Sequence, residues 1–157
     1  MSRDSKRDLV WRVISAARRN EVAVERFDRR AAEALGVNRT DARCLDVLDN
    51  EGAMTAGRLA ERLGLTTAAV TAVIDRLEAK GYVKRVRDEQ DRRRVNVEVT
   101  PLLRERTAAI WGPLGEEGTE ALMRYSRHQL ETLLAFFEAS REINERHYER
   151  IKDLSFD

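Results

Sequence analysis

Residues Leu59 to Ile74 read LAERLGLTTAAVTAVI, and the spacing within this stretch decides the fold. Ala60 is small enough to let a second helix cross closely. Gly64, four residues on, can take the positive φ of a tight turn. Val70, six residues later, is the apolar knob that locks two helices together. The pattern predicts a helix-turn-helix. Thr55 opens its first helix, with Leu59, Ala60 and Leu63 facing inward. Thr66 caps its second, whose buried face is Val70, Val73, Ile74 and Leu77.

Downstream, Gly81 ends that helix and the apolar period changes from 3.6 to 2. In YVKRVR, Val83 alternates with charged neighbours; in RVNVEVT, Val95, Val97 and Val99 share one side. Between them lies DEQDRRR, a run without apolar content, so the two segments predict a β-hairpin with a long cationic tip. A helix-turn-helix followed at once by such a ribbon is a winged helix-turn-helix. Thr100 and Pro101 then start a helix that runs through Leu103, Thr107 and Ile110 to Trp111, where Gly112, Pro113, Gly115 and Gly118 are expected to interrupt or bend it. A last helix, from about Ser126 to Leu154, presents Leu130, Leu133, Leu134, Phe137, Ile143 and Ile151.

Upstream, Asp8 to Leu35 carries a helical stripe (Leu9, Val10, Val13, Ile14, Ala17, Val24, Phe27, Ala31) stopped by Gly36. Asn38 or Thr40 caps a second helix that packs Cys44, Leu45, Val47 and Leu48 and ends near Gly52. The expected fold class is mainly α with a small β-hairpin. A winged helix-turn-helix domain over 38–100 is flanked by terminal helices over 1–37 and 101–157, in one compact chain.

Composition narrows the function. In 157 residues, 42% are hydrophobic and 36% charged, which excludes disorder, collagen and a membrane span. One cysteine excludes an intramolecular disulfide framework, and two histidines leave little for a metal site. No apolar run follows the charged N-terminal residues, so a cytoplasmic protein is expected. No Gly-rich phosphate loop, HExxH, paired-cysteine motif or nucleophile elbow occurs, which argues against an enzyme, and no cofactor is expected. Net charge is +1, yet 55–94 carries a balance of +4, and seven of its ten cations fall between Lys80 and Arg94. A local basic strip on a near-neutral chain suits a phosphate-binding face.

The outward positions of the second helix are then Thr66, Thr67, Ala68, Ala69, Thr71 and Ala72, short side chains suited to close approach to base edges. Long bidentate arginines are missing from its first two turns, so part of the readout is expected from DNA shape. Thr66 also has the simpler role of an N-cap. Arg76 and Lys80 are candidates for phosphate contacts, with Asp75 steering Arg76 or pairing with the wing. Asp91 and Arg93 share one face of the hairpin, where a carboxylate can hold an arginine extended.

From about Thr55 to Thr100 the chain resembles the MarR family of bacterial transcriptional regulators. The resemblance rests on VIDRLEAKGYVKR followed by DEQDRRRVNVEVTP, matching the family's wing pattern at Asp88, Asp91, Arg92, Arg93 and Thr100. Val99 stands where leucine is usual, and Glu89 replaces the common proline. The resemblance implies that Arg93 enters the minor groove with Asp91 as its clamp, and that Thr66, Thr67 and Thr71 lie on the DNA-reading helix. It further implies a homodimer built by the terminal helices on pseudo-palindromic double-stranded DNA, acting as a repressor. Relatives commonly hold a small aromatic or phenolic effector; Trp11, Phe27, Cys44 and Trp111 are candidates to line such a crevice. Cys44 as a thiol sensor, a constitutive architectural DNA-binding protein and a winged domain for protein contact are the alternatives.

Overall fold

A computed structural model describes residues 5–87, 91 and 94–155. The chain divides into two compact units, Met1–Ile110 and Trp111–Asp157.

The first unit opens with α1 (Lys6–Leu35), capped by Ser5 in a reciprocal capping box with Asp8 and closed by Gly36 at φ 65°. Next comes α2 (Arg39–Glu51), capped by the Asn38 side chain. A two-residue strand, β1 (Met54–Thr55), leads into α3 (Ala56–Leu63) and α4 (Thr67–Ala79). Gly64 between these helices sits at φ 65°, the left-handed turn the sequence required. The core closes on Leu59, Ala60, Leu63, Val70, Val73, Ile74 and Leu77, as expected.

β2 (Val83–Arg87) and β3 (Val95–Val99) form the antiparallel hairpin, with Val83 opposite Val99 and Arg87 opposite Val95. The sheet has three strands, in the order β1-β3-β2, because Met54 pairs with Val97 and Thr55 with Asn96. Two residues give no readable alternation, so β1 was not expected. Val95 also departs from the expected inward row: Val97 and Val99 are buried, whereas Val95 is exposed. It lies toward the wing tip, beyond the reach of the helical core.

Thr100 accepts from the Leu103 amide and donates to the Gly81 carbonyl (2.6 Å), starting α5 (Pro101–Met123). Of the expected interruption or bend at Gly112–Gly118, the interruption does not occur: α5 continues with Pro113 inside it. Gly112 spares one of proline's clashes, that with the preceding Cβ, while the ring still removes a backbone donor from the helix. In the second unit, α6 (Arg127–Ile151) begins at Ser126 with a capping box to Gln129. No residue of α6 is buried, and Leu134, Phe136, Phe137, Ile143 and Tyr148 are exposed. On α1 only Ala31 and Leu35 are buried, while Leu9, Val10, Trp11, Val13 and Ile14 face solvent.

Candidate nucleic-acid interface

The face presented by α4 follows from its buried one. With Val70, Val73, Ile74 and Leu77 inside, Thr66, Thr67, Ala68, Ala69, Thr71 and Ala72 are all exposed. Thr66 is the N-cap, its hydroxyl accepting from the Ala69 amide at 3.2 Å. Thr71 donates its hydroxyl to the Thr67 carbonyl (2.9 Å), which leaves oxygen lone pairs and the methyl group outward. The first two turns of α4 therefore offer a slim surface of hydroxyls, methyls and backbone at the positive end of a helix dipole.

Of Arg76 and Lys80, expected at phosphates, the first is paired within the domain and the second lies exposed beside Gly36. The Arg76 guanidinium donates to both carboxylate oxygens of Asp41 on α2, at 2.5 and 3.3 Å. Asp41 is only 2% exposed, so this pair ties α4 to α2 and supplies a buried charge with its partner. The hydrogen bond to Asp41 holds the Arg76 pKa above the ordinary guanidinium value. The Lys80 ammonium lies at the C-terminal end of α1, where a Cβ built on Gly36 would be 3.4 Å from Nζ. The last turn of α1 has no basic residue of its own, so Lys80 faces the negative end of that helix. Beside it the buried Tyr82 hydroxyl donates to the Leu35 carbonyl (2.9 Å) and accepts from Arg106 of α5 (2.6 Å). Sequence periodicity gave no sign of Asp41 or Tyr82; a charged residue on the inner side of α2 was the only available hint.

Of the two roles considered for Asp75, pairing with the wing is the one observed: it accepts from Arg85 of β2 at 2.6 Å. Glu78, one turn on, also pairs with Arg85. These bonds, that to Asp75 foremost, raise the Arg85 pKa. Across β2 and β3 of the wing, Lys84 and Glu98 stand opposite each other and pair at 2.8 Å. At the tip, exposed Asp91 accepts from the Arg94 amide through its backbone carbonyl (2.8 Å). Arg92 and Arg93 lie outside the described residues, as does Asp88.

The residues considered for an effector crevice are spread along the chain. Trp11 is 58% exposed on α1, Phe27 half-buried on α1, and Trp111 half-buried at the start of the second unit. Cys44 is 0% exposed inside α2, and burial with the nearby Asp41 charge pushes its thiol up to about 12. A protonated, enclosed thiol is a small hydrophobe, which argues against the sensor role considered for it. Among the described residues no cluster of metal-ligating side chains occurs, and no helix is long and apolar enough to cross a membrane.

This architecture has known counterparts. A model of the MarR family matches residues 37–95. An uncharacterized HTH-type transcriptional regulator of Bacillus subtilis, YcgE, is 34% identical over 151 residues, covering 96% of this chain and 98% of its own. The structure of RV1404 from Mycobacterium tuberculosis superposes with a TM-score of 0.64 at 19% identity, over 90% of this chain and 96% of that one. The S. aureus MepR–DNA complex gives 0.59 at 20% identity, over 80% and 94%. Near-full-length similarity to YcgE, together with the matched winged domain, leads to one conclusion: the chain belongs to the MarR family and is a DNA-binding transcriptional regulator rather than an enzyme.

Proposed function

We propose that the protein is a homodimeric repressor that places the N-terminal half of α4 in the major groove of a pseudo-palindromic operator and the wing beside it. One observation carries the reading: the exposed face of α4 is a run of threonines and alanines, with no long side chain ahead of Asp75 to hold the helix away from base edges. In this reading Thr66, Thr67, Ala68 and Thr71 meet bases and phosphates, and Asp91, Arg92 and Arg93 form the wing's contact. Arg76 and Lys80 act one step back, holding α4 to α2 and to the end of α1. That a S. aureus protein of this fold has been seen on DNA supports the arrangement.

The dimerisation region is proposed to comprise 1–37 and 101–157. Its support is the apolar surface left uncovered in the single chain: Trp11 and Val13 on α1, Leu134 and the 65% exposed Phe137 on α6. Surface of this kind rarely stays in water on a monomer. A C2 pair would present two copies of α4 to successive half-sites. Release by a small aromatic or phenolic ligand completes the reading, with the cytoplasm as its setting.

The test is light scattering at micromolar concentration followed by footprinting at physiological salt, with and without aromatic acids. A dimeric mass and a discrete protected site that an aromatic acid abolishes are expected. A monomeric mass would remove the dimer, uniform coating would favour an architectural protein, and protection unmoved by every acid would remove the effector.

A further inference from the structure

The outward side of α4 carries a feature that works against DNA binding. Asp75 lies one turn and Glu78 two turns beyond Thr71, so both carboxylates continue the side of the helix on which Thr67 and Thr71 sit. The helix's own cation does not offset them, because Arg76 is turned to Asp41. The compensating charge comes from the wing. Arg85 donates from Nη2 to Asp75 Oδ1 at 2.6 Å, from Nη1 to Glu78 Oε2, and from its backbone amide to Glu78 Oε1 at 3.3 Å.

Arg85 is well placed for this. It sits mid-strand in β2, directly opposite Val97, which is itself opposite Met54 of β1. Val97 and Met54 are buried, so Arg85 springs from the middle of β2, level with the buried part of the sheet, and not from the wing tip. Its fork spans two carboxylates a turn apart, a geometry that a lysine cannot reproduce.

We propose that Arg85 supports DNA binding from one step back: it masks the Asp75 and Glu78 carboxylates from the phosphates that α4 approaches. The proposal rests on α4 being the groove helix. Without the guanidinium, two uncompensated negative charges stand within a Debye length of the DNA backbone in that reading.

The test uses the full chain and a duplex selected from genomic fragments, titrated by fluorescence anisotropy at low and at physiological salt. Arg85→Gln should weaken binding on the order of tenfold at low salt, with a smaller gap at physiological salt. Adding Asp75→Asn and Glu78→Gln to that variant should bring affinity back to within about threefold of wild type. In the wild-type background, Asp75→Asn with Glu78→Gln should bind more tightly than the parent, because the freed guanidinium adds to the positive face. If the triple variant stays as weak as Arg85→Gln, or Arg85→Gln binds like wild type, the masking role is overturned. Should Arg85→Gln fail to fold by circular dichroism, the carboxamide pair decides: tighter binding supports the role, equal or weaker binding overturns it. Failure of the groove reading would look different, since Thr71→Glu would then leave wild-type affinity intact.

Discussion

Thr66 combines a structural role with a proposed functional one, and substitution can separate them. Its hydroxyl accepts from the Ala69 amide at 3.2 Å while its backbone stays extended at φ −71°, ψ 152°, as an N-cap requires. Thr66→Ala removes that acceptor and should cost about 1 kcal/mol, within a range of about 0.5–2, which lowers the melting temperature by about 2–4 °C for a chain of this size. Thr66→Asp keeps the acceptor and places a negative charge at the positive end of the α4 dipole, a gain of about 0.3–1 kcal/mol. Its stability should equal or exceed wild type. The same carboxylate meets the DNA backbone at the point where α4 enters the groove. Two like charges ~4 Å apart repel by about 1 kcal/mol in water and about 4 kcal/mol at a partly dehydrated surface, so affinity should fall at least about fivefold. Thermal melts followed by circular dichroism read the first effect, and anisotropy titration reads the second. Thr66→Asp that is stable and binds DNA undiminished would refute the placement of this helix end at phosphate. Thr66→Asp that is as destabilised as Thr66→Ala would refute the capping argument.

Arg93→Ala should weaken DNA binding by about 1–3 kcal/mol while light scattering shows the oligomeric state unchanged; unaltered affinity would take the wing tip out of the mechanism. Cys44 should resist alkylation and peroxide in the native protein at neutral pH, and peroxide should leave DNA binding unchanged. Its raised pKa also gives a pH signature: the unfolded thiol ionises near 9.0 and the folded one near 12. Between those values the unfolded state holds fewer protons, so stability is full below pH 9.0 and falls as pH rises toward 12. Cys44→Ala should flatten that decline in pH-dependent denaturation curves. Tyr82→Phe should cost about 1–3 kcal/mol in denaturant titrations, because the Leu35 carbonyl loses its donor and Arg106 its acceptor; an unchanged midpoint would remove that link between α1 and α5.

What could be read from the sequence was what local periodicity and capping encode. Gly36 and Gly64 mark helix ends because the αL turn excludes most other residues there. Val70, Val73, Ile74 and Leu77 announce the inner face of α4, and with it the outer one. The remainder depends on residues far apart in the chain. Asp41 finds Arg76 across 35 positions, and Tyr82 reaches Leu35 across 47, distances at which no spacing rule applies. For that reason the Asp41 partner of Arg76 was not foreseen. The α5 expectation failed for a different reason. Each helix breaker from Gly112 to Gly118 disfavours the helix individually, but none forbids it, and glycine ahead of Pro113 removes one of the proline's clashes. Asp75 was partly legible, as one of two possible pairings; Arg85, its partner, carried no signal beyond its charge.

The proposed complex sets two copies of α4 side by side on duplex DNA. Hydroxyl-radical footprinting of a selected operator tests it most directly. The expected pattern is two protected patches related by a dyad, their centres one helical turn apart (~10–10.5 base pairs), both lost in the Thr71→Glu variant. A single unsymmetrical patch, or one that survives Thr71→Glu, would contradict it.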